Sequence, residues 1–256
     1  MKNLISMIQQ QVLQLLEKEA PKLEGIETRE VCGMVLQHNP KRAVSTGAKV
    51  DPASIASRPC FLCKDNRPAE QGSVVWNDDF EILVNPFPIL EGHLTIPLRR
   101  HEPQRILPYL DDMASLAKDL PQFIVFYNGA KCGASAPDHM HFQAVYAGQT
   151  PMERGKRTPS QKRMKKINDI QELKDIINIW GKDYEQKINL FCKYNEADDN
   201  FTFYLFERRK HRPCIYDMGV MVSPGALDMA GILVLPQRNI FQGITHGIVS
   251  RIFDEV

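Results

Sequence analysis

The chain has 256 residues, 43% of them hydrophobic and 25% charged, a composition that suits a globular protein with one large or two modest cores. Its formal net charge is +1, which excludes a global basic field for nucleic acid. No apolar run reaches the length of a membrane span, so neither a membrane nor a nucleic acid is an expected partner. Met1-Lys-Asn-Leu-Ile-Ser-Met-Ile-Gln-Gln lacks a signal-peptide core and a small-residue cleavage site. A cytoplasmic location is therefore expected. Six cysteines are scattered and only Cys60 and Cys63 are close, so metal binding is a better reading of that pair than a disulfide framework.

Residues 1 to about 20 carry helical periodicity, with Leu4, Ile5, Ile8, Val12, Leu15 and Leu16 on one stripe. Residues 28–50 alternate as strands do, with His38-Asn-Pro40 as a turn. A tight Cys-x-x-Cys loop follows at 59–63. Segments 73–76 and 80–84 read as strands around the Asn77-Asp-Asp79 turn. A short strand is expected at 92–97, a helix at 107–120 and a strand at 124–127. Residues 151–169 form a basic connector, read first as a solvated, mobile linker and second as a phosphate-binding loop. A helix is expected at 170–180. Phe201-Thr-Phe-Tyr-Leu-Phe206 is strongly β-prone and leads into Arg208-Arg-Lys-His-Arg212. That basic run reads either as a solvated turn or as a site where Arg208 or Arg212 grips the phosphates of a second substrate.

A weak repeat is visible. Gly92-His-Leu-Thr-Ile-Pro-Leu-Arg99 and Gly231-Ile-Leu-Val-Leu-Pro-Gln-Arg238 share Gly-x-Leu-x-(Ile/Leu)-Pro-x-Arg. Each follows a Val-(Asn/Ser)-Pro segment. The repeat predicts an α+β chain of two related halves, 1–150 and 170–256, each an antiparallel sheet packed by helices, joined by the connector 151–169. The two copies should then occupy equivalent strands.

The most informative segment is His139-Met140-His141-Phe142-Gln143. On one extended strand, His139, His141 and Gln143 share a face while Met140 and Phe142 take the other. Core packing does not call for such a row, because each buried polar atom needs a partner. Phosphorus chemistry does: an imidazole can attack a phosphoryl centre and an amide can hold a phosphate oxygen. Solvated edge histidines are the bland alternative. The turn Gly133-Ala-Ser-Ala-Pro137 that enters the row favours the functional reading.

Cys60 and Cys63 can meet one zinc ion, and a closed structural site needs four ligands. His101 and His139 would complete a Cys2His2 set. A redox pair or two ordinary buried cysteines are the rivals, and His93 is a competing ligand whose context reads as strand.

With these residues in view, the chain resembles the histidine-triad superfamily, and within it the galactose-1-phosphate uridylyltransferase branch. Val84-Asn-Pro-Phe-Pro-Ile-Leu-Glu-Gly-His-Leu-Thr-Ile-Pro97, ending in Arg99-Arg-His101, resembles the superfamily's signature strand pair. Cys60-Phe-Leu-Cys63 resembles the zinc-binding cysteine pair, Trp76-Asn-Asp-Asp-Phe80 the nucleotide-contact segment, and 133–143 the active-site segment. Residues 222–231 look more like the second half of the nucleotide-sugar and dinucleoside polyphosphate phosphorylases. Met140 and Phe142 stand where the uridylyltransferase pattern has proline and glycine, again nearer the phosphorylases.

The resemblance implies a histidine-triad-like (HIT-like) fold and a set of roles. His141 is the nucleophile that takes up a nucleoside monophosphate. Gln143 holds the phosphate oxygens, and Ser135 contacts the leaving-phosphate side. Asn128 and Gly133 contact the nucleotide phosphates, while Asn77, Asp78 and Asp79 belong to the nucleoside-binding segment. Cys60, Cys63, His101 and His139 hold a structural zinc. The implied activity moves a nucleoside monophosphate from a nucleoside diphosphate sugar or dinucleoside polyphosphate to a sugar phosphate or phosphate. The alternatives are a hydrolase, in which water resolves the intermediate, and a non-catalytic, zinc-stabilised nucleotide-binding protein. A homodimer is an expectation of the same resemblance.

Overall fold

A computed structural model describes residues 2–256, with side chains from Ile5 onward except that of Lys182; Leu4 of the expected stripe lies outside the described side chains. Eight strands form one sheet in the order β3-β4-β5-β7-β6-β9-β10-β8. They are β3 (Val74–Trp76), β4 (Phe80–Val84), β5 (Leu94–Pro97), β6 (Phe123–Asn128), β7 (His141–Tyr146), β8 (Met164–Ile167), β9 (Ile188–Asn195) and β10 (Asn200–Glu207). Every pair in this sheet is antiparallel. A second sheet of three strands has the order β1-β2-β11, from β1 (Glu27–Val31), β2 (Met34–His38) and β11 (Ile232–Leu235). The α+β class is borne out.

The large sheet is covered on both faces, which explains why its central strands read as unbroken apolar runs rather than alternating ones. On β6, Phe123, Val125 and Tyr127 join a core under helices Leu110–Asp119 and Ile170–Trp180, with Val12, Leu15 and Leu16 of helix Lys2–Glu19. Ile124 and Phe126 face the other way, into a core built with the small sheet and helix His246–Glu255. From β7 that second core takes Val145, and the cavity described below lies beside the first half of the strand, at His141 and Gln143.

Most elements fall where their periodicity predicts. Three do not. Residues 40–46 are helical turns, not strand, because Pro40 starts a 3-10 turn that runs into helix Ala43–Thr46. The connector is ordered: Met152, Thr158, Ser160 and Ile167 are buried and β8 pairs with β10. Lys165 and Lys166 are exposed on the edge strand β8, and the other basic residues lie in the turn, loop and 3-10 helix before it, an arrangement that single-sequence charge counting does not separate from a linker. The two repeat copies also differ in setting. β5 lies between antiparallel neighbours, whereas β11 runs parallel to β2 in the other sheet. What the copies share is local: Gly92 and Gly231 both sit at positive φ just before their strands, a conformation glycine adopts without steric cost.

Candidate functional site

β7 begins at His141, not at His139. The turn at Pro137-Asp138 places His139 before the strand, with its N–H donating to the Ala136 carbonyl at 3.2 Å. The two histidines therefore do not share a strand face. Met140 and Phe142 do face the apolar core, fully buried.

His139 points to the Cys-x-x-Cys loop. Its Nδ1 lies 3.3 Å from Cys60 Sγ and 3.6 Å from Cys63 Sγ. His101 Nδ1 lies 3.2 Å from Cys63 Sγ. The four ligand atoms lie within 4.8 Å of one another. The loop is set by the Cys63 N–H bonding to Cys60 O at 3.2 Å and by Asn66 Nδ2 donating to Cys60 O at 3.0 Å. Arg58 ties it to the 133–138 turn through Asp138, 2.9 Å away.

These residues fit a zinc ion. His139 Nε2 donates to the Leu98 carbonyl at 2.7 Å. A carbonyl only accepts, so Nε2 carries the proton and Nδ1 offers its lone pair toward the thiols, the arrangement a metal-ligating histidine needs. Burial and the neighbouring Cys60 push the Cys63 thiol up to about 11. A divalent cation supplies the charge that lets such thiols ionise.

His141 faces the opposite way, into a cavity of about 490 Å³. Its Nδ1 donates to the His139 carbonyl at 2.8 Å, so Nε2 keeps a free lone pair. Burial pushes the imidazole down to about 4, which leaves it neutral at pH 7. The β6–β7 pairing ends at Phe126 and Gln143. Beyond it the buried Gln104 side chain holds the two backbones: it accepts from His141 N at 2.8 Å and donates to His141 O at 3.0 Å and Asn128 O at 2.9 Å.

Two amides flank His141. Ile89 N–H donates to His93 Nδ1 at 3.1 Å, so His93 Nε2 is the protonated nitrogen and donates to Gln143 Oε1 at 2.9 Å. Gln143 is thereby turned with its NH2 group away from His93, and it lines the cavity. Asn128 Oδ1 is likewise taken, by the Ala226 N–H at 2.7 Å and Asn189 Nδ2 at 2.8 Å. Gly133, at φ +96°, passes so close that an added Cβ would come within 2.6 Å of Gly225 Cα and 2.8 Å of Asn128 Oδ1.

The far wall carries two arginines. Arg42 donates to the Phe87 carbonyl at 3.0 Å, while its buried Nε has no partner among the described residues. Burial pushes its guanidinium down to about 10, still charged at pH 7. Arg212 donates to Thr46 O at 3.0 Å and Ala48 O at 2.8 Å, and its Nε to Ser223 Oγ at 3.1 Å. Apolar side chains including Leu83, Phe87, Phe126 and Leu227 make the remainder, the mixed lining typical of a small-molecule site.

The structure thus gathers His141, Gln143, Ser135, Asn128, Gly133 and Arg212 around one cavity. It does not bring Asn77, Asp78 and Asp79 there. They form the tip of the β3–β4 hairpin, with Asn77 and Asp78 at positive φ, and Asn77 donates to Asp112 Oδ1 at 2.9 Å. Asp79 is an ion-pair partner of Arg100. Turn chemistry accounts for this triplet. Arg208 is also elsewhere. It is buried, and it donates to Val256 O, Pro224 O and Asn189 Oδ1 at 3.1, 2.9 and 2.6 Å. Gln104, Asn189 and Arg42 were not picked out as site residues from sequence, and His93 only as a rival metal ligand. Each lies in an ordinary strand, turn or loop context, and only the tertiary contacts give it a role.

A family model described as "Domain of unknown function (DUF4922)" matches residues 5–146. No curated protein matches the chain. Among solved structures, yeast Ap4A phosphorylase Apa2 superimposes with a TM-score of 0.60 at 12% identity, covering 96% of this chain and 95% of that one. Its complex with AMP gives 0.55 at 12% identity, covering 98% and 94%. Its complex with Ap4A gives 0.55 at 13%, covering 98% and 95%. At these identities the likeness establishes the fold alone, the one that this chain shares with Apa2.

Proposed function

The chain belongs to the family described as domain of unknown function DUF4922, and from the chemistry of its cavity we propose that it is a nucleotidyltransferase of the phosphorylase type, acting through a nucleotidyl-His141 intermediate. The observation that carries the reading is the free Nε2 lone pair of a neutral, buried His141 in a cavity shared with two oriented amides and two arginines. Apa2, whose fold this chain shares, is an Ap4A phosphorylase, which supports a dinucleoside polyphosphate as donor. A nucleoside diphosphate sugar is the second donor class.

His141 Nε2 attacks the phosphorus of the bound nucleoside monophosphate group. A P–N bond forms, and the P–O bond to the departing phosphate breaks, its electron pair leaving on that oxygen. The NH2 groups of Gln143 and Asn128 hold the phosphoryl oxygens as charge develops. Ser135 stands on the leaving-group side. A phosphate or sugar phosphate oxygen then attacks the same phosphorus, and the electron pair of the P–N bond returns to Nε2. Arg42 and Arg212 neutralise the phosphates of donor and acceptor.

Zinc held by Cys60, Cys63, His101 and His139 would fix the loop and turn that start β7 and supply no electrons to the reaction. The division into halves 1–150 and 170–256 about the basic connector belongs to the same proposal, as does a homodimer.

The test is to incubate the protein with labelled dinucleoside polyphosphates and nucleoside diphosphate sugars, with and without phosphate. Acid-labile, base-stable label on His141, discharged by phosphate, is the expected result. Product release by water with no effect of phosphate would favour the hydrolase. Binding with neither label nor turnover would leave a nucleotide-binding protein.

A further inference from the structure

Asn128 could face the cavity with either end of its amide. Its NH2 group would attract a phosphate oxygen and its carbonyl would repel one. Which end faces inward is decided by side chains more than sixty residues away, and the decision can be read without seeing a hydrogen. Arginine only donates, so the Asn189 atom 2.6 Å from Arg208 Nη1 is the carbonyl oxygen. The other end of Asn189 is then NH2, which donates to Asn128 Oδ1 at 2.8 Å and Cys132 O at 2.9 Å. The backbone N–H of Ala226 also only donates, and it reaches the same Asn128 Oδ1 at 2.7 Å. Both constraints agree. They leave Asn128 Nδ2 without a partner among the described residues, on the wall of the cavity that holds His141.

We propose that Arg208 and Asn189 are positioning residues that fix the polarity of the Asn128 amide, so that β9 and the segment just after β10 control which end of Asn128 meets the bound phosphate. This rests on the reading of the cavity as a nucleotide site. Arg208 is suited to the task because its guanidinium is itself held by the Val256 and Pro224 carbonyls.

Asn189→Asp tests this with little change of shape. The new carboxylate accepts from Arg208 but leaves Cys132 O without its donor, so a lower melting temperature with the fold retained is expected. The carboxylate cannot donate to Asn128. The Asn128 amide then turns its NH2 toward residue 189, its oxygen faces the cavity, and the Ala226 N–H loses its acceptor. Expected are hydrogen exchange at Ala226 about tenfold faster or more, unchanged exchange in β10, and AMP binding weaker by about tenfold, the scale of one charge-assisted hydrogen bond. In an Asn128→Ala background, Asn189→Asp should cost no further affinity. Asn128→Asp keeps both incoming bonds, so it should lose AMP binding while Ala226 stays protected; this arm decides the matter if Asn189→Asp does not fold. Unchanged Ala226 exchange and AMP affinity in Asn189→Asp, or additive losses in the double variant, would overturn the relay. So would AMP affinity retained by Asn128→Asp. Wild-type protein that binds no AMP would defeat the nucleotide reading, and Ala226 exchange in Asn189→Asp would still decide the relay.

Discussion

The Nδ1–H of His141 donates to the carbonyl oxygen of His139 across 2.8 Å. That bond separates two imidazoles that sequence places two residues apart. It fixes the His141 tautomer so that Nε2 holds the lone pair, and it makes the backbone of His139 part of the support of His141. The His139 ring meanwhile bonds to the Leu98 carbonyl and turns Nδ1 to the cysteines. One histidine is available to substrate and the other to metal.

The first prediction follows from this division. His141→Asn should abolish covalent labelling from a nucleotide donor while metal content and melting temperature stay near those of the wild type. Label found on another residue, or full turnover by the variant, would remove His141 from the mechanism.

Metal content provides a second check. Protein purified without added metal should carry one zinc per chain, and a chelator strong enough to remove it should lower the melting temperature. Cys60→Ser should destabilise more than Cys192→Ser. The first breaks a metal site that contributes folding energy directly. The second places a hydroxyl in the apolar core around β9, at a cost on the order of 1–3 kcal/mol. Elemental analysis showing no metal would refute the site.

His93 should matter although it is remote from any reacting atom. His93→Ala leaves the Ile89 N–H without its acceptor and frees Gln143 to rotate. Labelling of His141 should slow by about tenfold, the scale of one hydrogen bond to a charged group. Restoration of the rate by Gln at position 93 would support an orienting role, and an unchanged rate in the alanine variant would count against it.

Stability should depend on pH through the same histidine. Burial, aided by the charge of Arg42, holds folded His93 at about 3 against an ordinary 6.5. Between those values the unfolded chain binds a proton that the folded one does not. The contribution is therefore complete above about pH 6.5 and is lost as pH falls toward 3, by a few kcal/mol at about 1.4 kcal/mol per unit. Asp228, raised to about 6 by burial, acts in the opposite sense: its contribution is present below 3.8 and lost as pH rises through 6. His93→Gln should flatten the acid limb. Urea midpoints at pH 7.5 and 5 that fall equally in both proteins would refute this.

The arginines should separate into two classes. Arg42→Gln and Arg212→Gln should raise the KM for donor or phosphate by roughly 10- to 100-fold, the loss of one charge-assisted bond each, with the fold intact. Arg208→Gln should in addition lower the melting temperature, since Val256 O and Pro224 O lose a donor, and should weaken AMP binding only through Asn189 and Asn128. A melting temperature unchanged by Arg208→Gln would reverse the assignment.

Much of this protein was determined by its sequence. The apolar runs of β6 and β10, the helical stripes and the glycines before β5 and β11 are local signals, because backbone conformation and side-chain periodicity act over a few residues. The Cys-x-x-Cys loop and the His-x-His-x-Gln segment were legible for the same reason: each is a short stretch whose residue types are unusual for packing alone. The tertiary structure decided what each polar group does. It moved His139 off the strand, sent Asn77, Asp78 and Asp79 to a hairpin tip, and buried Arg208 among carbonyls. It also joined Arg208 to Asn128 through Asn189, and Ile89 to Gln143 through His93. A hydrogen bond has a direction set by which partner can only donate or only accept, and those partners come from strands and loops far apart in the chain, so their alignment exists only once the sheets have assembled.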